Sequence, residues 1–350
     1  MIRLTWRQFR TQALVAACAL VIVAIVVLVT GLNLAHLYDT TVATCKVSND
    51  CSTATSAFLD TDSQLQTALG VLVIVIPGLI GIFWGAPLIA GEFEGGTYRL
   101  AWTQSVTRTH WLAIKLGVVG LASVVVAGLL SLMVTWWSSP IDRVTMSPFA
   151  GFDQRDIVPI GYAAFAFALG ATAGLVIRRT LPAMAVSLIG FVAIRLAVYE
   201  WVRPNLITPD YLTVPNAAIA GGPDAPGQGA LPLSDWIISD QTINATGQVI
   251  GRNGLVGHGV SVGNSPQGIT IGGVGSCPNF TLPPPTGRAG GPAGPLTQKC
   301  VDQLHVRDAL TFQPGARYWL FQWYELAIFL GLAIALILLC FWWIRRRRLG

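Results

Sequence analysis

Residues 84–115 read WGAPLIAGEFEGGTYRLAWTQSVTRTHWLAIK. The stretch holds Glu92, Glu94, Arg99, Arg108 and Lys115, in a chain of 350 residues that is 53% hydrophobic and 11% charged. Long apolar runs adjoin it on both sides, about Leu65 to Ala90 before it and Leu112 to Trp137 after it. A bilayer core needs about 20 residues of helix, and each run exceeds that. A soluble domain averages about 25% charged residues, so water is not the solvent for most of this chain. A short charged hairpin between two spanning helices therefore decides the class: an all-α polytopic membrane protein.

Toward the N-terminus, Ala13 to Leu37 is another long apolar run. The apolar core of a secretory signal is about 7–15 residues and ends at a small-residue cleavage site. This run is longer and ends in NLAHLYD, so it is expected to stay as a span. Ahead of it, MIRLTWRQFRTQ sets Ile2, Trp6 and Phe9 against Arg3, Arg7 and Arg10. At helical spacing that suits an interfacial helix lying among headgroups. Plain positive flanking charge explains it equally well. Tyr38 to Ser63 reads as a polar connection carrying Cys45 and Cys51. In the next span, about 65–90, Pro77 is expected to kink the helix, and small residues from Gly78 to Ala90 let a neighbouring helix come close.

Toward the C-terminus, a span at 112–137 leads into a polar turn, Ser138 to Asp156. A fourth span, 158–177, meets a fifth, 181–202, through the tight hairpin Arg178-Arg179-Thr180, with Pro182 in the first turn of the fifth. Residues 204–318 are rich in Gly and Pro, as in GGPDAPGQG and TLPPPTGRAGGPAGP, with short β-like runs QVIG, GVSVG and GITIGG. They read as a strand-poor extracytoplasmic loop or domain, with Gln298 to Leu310 as an amphipathic helix. The last span, about Trp319 to Ile344, ends in Arg345 to Arg348. The organisation is thus a membrane domain at 1–203 with five helices, an outer domain at 204–318, and a last helix with a basic tail at 319–350.

Basic residues orient the bundle. With the N-terminus inside, the inner segments hold twelve basic residues (Arg3, Arg7, Arg10, Arg99, Arg108, Lys115, Arg178, Arg179 and Arg345 to Arg348) against Glu92 and Glu94. The remaining segments hold 10 basic and 15 acidic residues. Both termini are therefore expected in the cytoplasm, and the net charge of +5 marks membrane topology rather than a nucleic-acid partner. Cys18 and Cys340 fall in hydrocarbon. Cys45, Cys51, Cys277 and Cys300 fall outside, where disulfides persist, and local pairing gives Cys45–Cys51 and Cys277–Cys300, one of three connectivities, with free thiols the alternative.

No GxxxxGK[ST] occurs, so nothing here holds a nucleotide phosphate and its Mg²⁺ in the usual way. HExxH and a CxxC pair are absent, GVSVG at 259–263 has the GxSxG spacing but no strand-turn-helix context and no obvious base for Ser261, and His36, His110, His258 and His305 are scattered without ligand spacing, so no metal site or catalytic group is expected. Arg195 lies inside the fifth span. An intramembrane charge is a functional candidate by default, and the plainer reading is snorkelling toward outer headgroups beside Glu200. In the hairpin, Gly91, Gly95 and Gly96 break the second span. Tyr98 to Gln104 can make a short transverse helix, and Ser105 or Thr107 can cap the third span. A stiff hairpin of that kind transmits a push from a docked partner; a merely solvated loop is the alternative.

GAPLIAGEFEGGTYRLAWTQSVTRTHWLAIK resembles the region between the second and third spans of the ATP-binding-cassette type-2 (ABC type-2) permease family. The matching residues are Glu92, Glu94, Gly96, Thr97, Thr107, Arg108, Trp111 and Lys115, with Arg99 between them. PGARYWLFQWYE, Pro314 to Glu325, looks like the start of the last span in actinobacterial members. Gly221 to Pro295 is not part of the shared pattern. The resemblance implies a transmembrane dimer of two permease subunits, identical or related, in the cell membrane. It implies a separate ATPase subunit docked beneath, a coupling helix at Glu92–Arg108, and export of a drug, antibiotic, lipid or polysaccharide. The permease itself would then be no enzyme and need no cofactor, its partner binding the ATP. A membrane-anchored receptor or assembly protein, using residues 204–318 to bind a ligand, is the alternative from a different class.

Overall fold

The computed structural model describes residues 2–45, 51–96, 107–145, 148–215, 234–243, 247, 249–253, 255–256, 260–261, 269–271, 280–282 and 307–346. Among the described residues, six stretches are long and apolar enough to cross a membrane. They are span 1 (Phe9–Cys45), span 2 (Ser63–Glu94), span 3 (Arg108–Thr145), span 4 (Pro148–Ile177), span 5 (Thr180–Asn205) and span 6 (Gly315–Arg346). The chain is a helical multi-pass membrane protein. Its contacts divide it into two compact units. One comprises Met1–Val144, Gly151–Arg203 and Trp319–Gly350; the other comprises Thr145–Ala150 and Pro204–Tyr318.

In the helical unit, span 4 is the centre. Its apolar window is 72% buried, whereas that of span 1 is 6% buried. The cause is composition: VPIGYAAFAFALGATAGLVI has small residues where other helices must approach. A Cβ on Gly170 would lie 2.2 Å from the Gly81 carbonyl oxygen, and one on Gly174 would lie 2.5 Å from that of Ala86. Spans 2 and 4 thus touch backbone to backbone. Lipid tails are as apolar as leucine, so close packing replaces the hydrophobic effect as the attraction between spans. Span 2 adapts its path to this contact. Pro77 sits inside the helix Ser63–Ile80, a π turn follows at Gly81–Gly85, and the helix resumes at Ala86–Glu94.

Several spans outrun their apolar runs. The basic N-terminal segment forms one helix with span 1, Ile2–Leu37, and a π turn, Tyr38–Val42, carries the helix to Cys45. Polar residues persist as helix there because hydroxyls turn inward. Thr40 donates to the His36 carbonyl (2.9 Å), Thr41 to Leu37 (2.6 Å) and Thr44 to Thr40 (2.7 Å). A Cys45–Cys51 disulfide then bridges to a short helix, Ser52–Thr61, whose Phe58 packs edge-on against Tyr38. Likewise the polar turn expected at Ser138 to Asp156 is mostly helical. Span 3 continues through Pro140 to Thr145, and a 3₁₀ segment occupies Pro148–Gln154. Ser138 and Arg155 are buried there, Arg155 paired with Asp142.

The second unit is built on an antiparallel sheet of β1 (Asp210–Pro215), β2 (Trp236–Ile243), β3 (Val249–Asn253) and β8 (Arg307–Gln313), ordered β1-β8-β2-β3. Short pairs β4 (Leu255–Val256) with β5 (Val260–Ser261), and β6 (Ile269–Ile271) with β7 (Phe280–Leu282), complete it. The β-like runs of the sequence thus fall on β3, β5 and β6. The amphipathic helix expected over Gln298 to Leu310 is corrected where it is described. Arg307–Gln313 is a central strand with Ala309, Leu310 and Gln313 all buried, as a strand covered on both faces requires. The first and last strands pair, Asp210 opposite Phe312 and Pro215 opposite Arg307, so the excursion leaves and returns side by side. Phe149 stacks on Trp236 and meets Tyr318 edge-on, and Arg317 holds Asp210 at 3.0 Å. Cys277 and Cys300 lie outside the described residues.

Candidate coupling hairpin and intramembrane charge cluster

Span 2 ends where glycine lets it. Gly91 remains helical, Gly95 closes the last turn by donating to the Gly91 carbonyl (3.0 Å), and Gly96 turns left-handed at φ +66°. Span 3 begins at a cap. The Thr107 hydroxyl accepts the His110 amide at 3.4 Å, and its carbonyl accepts that of Trp111 at 3.0 Å. Arg108 is half-buried in the first turn. Thr97, Arg99 and the transverse helix expected at Tyr98 to Gln104 lie outside the described residues.

Three consecutive residues tie this hairpin to three other spans. Glu92 accepts from Lys115 of span 3, side chains 13% and 4% exposed, with the ammonium also 5.2 Å over the Trp111 ring. Phe93 lies under the Arg178 guanidinium at 5.3 Å. Arg178 itself caps span 4 in the left-handed conformation, φ 60°. Glu94 accepts the Thr180 amide at 3.1 Å and its hydroxyl as well, at the first turn of span 5. That amide belongs to the set a helix leaves unsatisfied, and a carboxylate also suits the positive end of the helix dipole. The sequence marked Glu92, Glu94 and Lys115 as charges of the hairpin; in the folded chain Glu92 and Lys115 pair inside the bundle, and the exposed Glu94 reaches across to the first turn of span 5.

At the opposite ends of spans 4, 5 and 6 lies a second charged site. Arg203, after the last π turn of span 5, donates through Nε to Glu325 Oε2 (2.8 Å) and through Nη2 to Oε1 (2.9 Å), a bidentate grip on a carboxylate of span 6. The same guanidinium reaches Asp153 of the 3₁₀ segment through Nη1 at 3.2 Å and through Nη2. Tyr162 of span 4 has its hydroxyl 2.7 Å from Asp153 Oδ1 and 2.5 Å from Glu325 Oε1. Arg203 also covers the rings of Phe152 and Tyr199. Gln322 braces the site by donating to the Phe152 carbonyl and accepting the Val158 amide, both at 3.1 Å.

Arg195 joins this cluster. Its guanidinium stands 4.7 Å over the Tyr162 ring and 4.0 Å from Asp153, and it donates to the Ile74 carbonyl at 3.4 Å. The acid beside it is Asp153, and Glu200, the expected neighbour, is exposed. Asp153, Arg203 and Glu325 carry no local signature, being 50 and 122 residues apart. The available signal was Glu325 itself, an acid seven residues inside the helix Tyr318–Arg346. Among the described residues no group of three or more His, Cys, Asp and Glu side chains could hold a metal ion.

The family described as ABC-2 membrane transporter related matches residues 17–203, more than half of the chain, from span 1 to the last residue of the charge cluster on span 5. The chain belongs to this family. No curated protein and no solved structure matches it. As a member of the ABC-2 membrane transporter related family, it is a membrane transporter permease by class, and the family implies partnership with an ATPase subunit. The matched residues include the whole hairpin between spans 2 and 3 and leave out strands β1 to β8 and span 6.

Proposed function

We propose that this chain is the permease subunit of an ABC exporter of the cell membrane, with both termini in the cytoplasm. The hairpin between spans 2 and 3 is its contact with the ATPase. The observation that carries the reading is the tie at Glu92, Phe93 and Glu94. A push on the hairpin reaches spans 3, 4 and 5 through side chains already in contact with them. Glu92, Glu94 and Lys115 then set the angle of the hairpin, while residues 97–106 and Arg108 meet the ATPase. Twelve basic residues on the hairpin side support a cytoplasmic position for it. A second permease subunit covering the apolar outer face of span 1 completes the transporter, consistent with the small buried share of that span. Cys277–Cys300 is proposed as a second outer disulfide.

The test is copurification and coupling. The full chain expressed with its ATPase should purify as a complex whose ATP hydrolysis changes when Arg108 is replaced by Glu. If no nucleotide-hydrolysing subunit associates with the chain, the proposal fails, and a receptor role for the sheet unit becomes the better account.

A further inference from the structure

Two apolar grooves run between helices of the bundle, and their linings differ. One, of about 480 Å³, lies among spans 1, 2 and 3 and has no charged residue in its lining. The other, of about 420 Å³, lies between Ile74–Ile82 of span 2 and Leu188–Tyr199 of span 5, with Arg195, Asp153 and Tyr199 at one end. Arg195 reaches its nearest acceptors only at 3.4 Å and 4.0 Å. A guanidinium carries five N–H donors, and Arg195 lines the groove. Asp153, which also lines the groove, accepts from Arg203 through both carboxylate oxygens and from the Tyr162 hydroxyl. The polar end of the groove therefore presents one cation and one anion together.

We infer that this groove binds an amphiphile with a zwitterionic head, its acidic group on Arg195, its amine toward Asp153, and its apolar chain along the groove toward Leu188 and Ile82. Charge balance selects the zwitterion. Arg195 and Arg203 balance Asp153 and Glu325, so a head of net charge would leave a surplus in a medium that screens it poorly. Depth separates this ligand from a lipid that merely coats the protein. The exposed Trp201, Trp319 and Trp323 mark the headgroup level. Arg195 lies six residues before Trp201, about 9 Å along the helix. A head on Arg195 is thus drawn below the level that ordinary lipids keep.

The experiment uses the purified full chain in dodecyl maltoside micelles and a spin-labelled single-chain phosphocholine. Unlabelled dodecylphosphocholine, dodecyl phosphate and dodecyltrimethylammonium serve as competitors. The zwitterion should displace the label at roughly tenfold lower concentration than either singly charged analogue, and Arg195→Gln should weaken binding by roughly tenfold or more, the scale of a lost charged hydrogen bond. Gly78→Leu, which fills this groove beside Phe191, should also expel the label, and Ala19→Leu in the uncharged groove should leave it bound. Equal displacement by all three competitors, preference for a singly charged one, or an unchanged Arg195→Gln variant overturns the inference. No ATPase is present in the assay, so the permease reading and this site stand or fall separately.

Discussion

Arg203 shows how one residue can carry a local structure. Its side chain is 2% exposed and that of Glu325 is 1% exposed, so neither charge is hydrated. Removing one partner of a buried ion pair leaves an uncompensated charge and costs about 3–5 kcal/mol. Arg203→Met should accordingly lower the thermal midpoint in detergent by a large step. Adding Glu325→Gln to that variant should recover most of the loss, because Arg195 and Asp153 then balance each other. If the double variant melts no higher than the single one, charge burial is not the cause. This cluster was the least legible part of the sequence. Arg195 stood out because the fifth apolar run surrounds it on both sides. Arg203 and Asp153 sit at the edges of runs, where basic and acidic residues are ordinary, and only the fold brings them to Glu325.

At the scale of elements, the contact between spans 2 and 4 is set by missing side chains. Gly170→Ala places a methyl 2.2 Å from a carbonyl oxygen, so a backbone must shift. Overpacking of this kind costs about 1–3 kcal/mol. Gly91 is the internal comparison, being helical with nothing within 4 Å of a Cβ. Gly91→Ala should stabilise by about 0.5–1 kcal/mol through helix propensity alone. Thermal unfolding of the two variants should therefore move in opposite directions. The small residues of span 2 were readable as a packing face, but hydropathy does not say which helix fills it. Ends of elements were read less well for a related reason. Thr40, Thr41 and Thr44 look like loop residues until their hydroxyls are seen bonding back into the helix. Arg307–Gln313 shows no strand signature on its own, because its two neighbours, β1 and β2, lie 92 and 64 or more residues earlier and make it central.

At the scale of the molecule, six apolar runs were enough to read the helical multi-pass class, because a bilayer leaves few alternatives to spanning helices. The hairpin between spans 2 and 3 was legible in its charges and glycines but not in their direction. Glu92 and Lys115 face each other inside the bundle rather than a partner outside it. This inward pairing decides what a charge reversal means. Glu92→Lys alone sets two lysines together where Lys115 is 4% exposed, a penalty of about 3–5 kcal/mol that lowers stability whatever the hairpin does. The informative variant is the exchange, Glu92→Lys with Lys115→Glu. It keeps the pair, its burial and its span-to-span geometry while reversing both signs. If the pair serves to hold the hairpin at its angle, the exchanged protein regains its thermal midpoint, and ATP hydrolysis by the bound ATPase again responds to the permease. If Glu92 instead meets a basic residue of the ATPase, stability returns and the response does not. The expected outcome is recovery of both, since the contacts of Glu92 run to span 3 and those of Glu94 to span 5, inside the chain that must move as one.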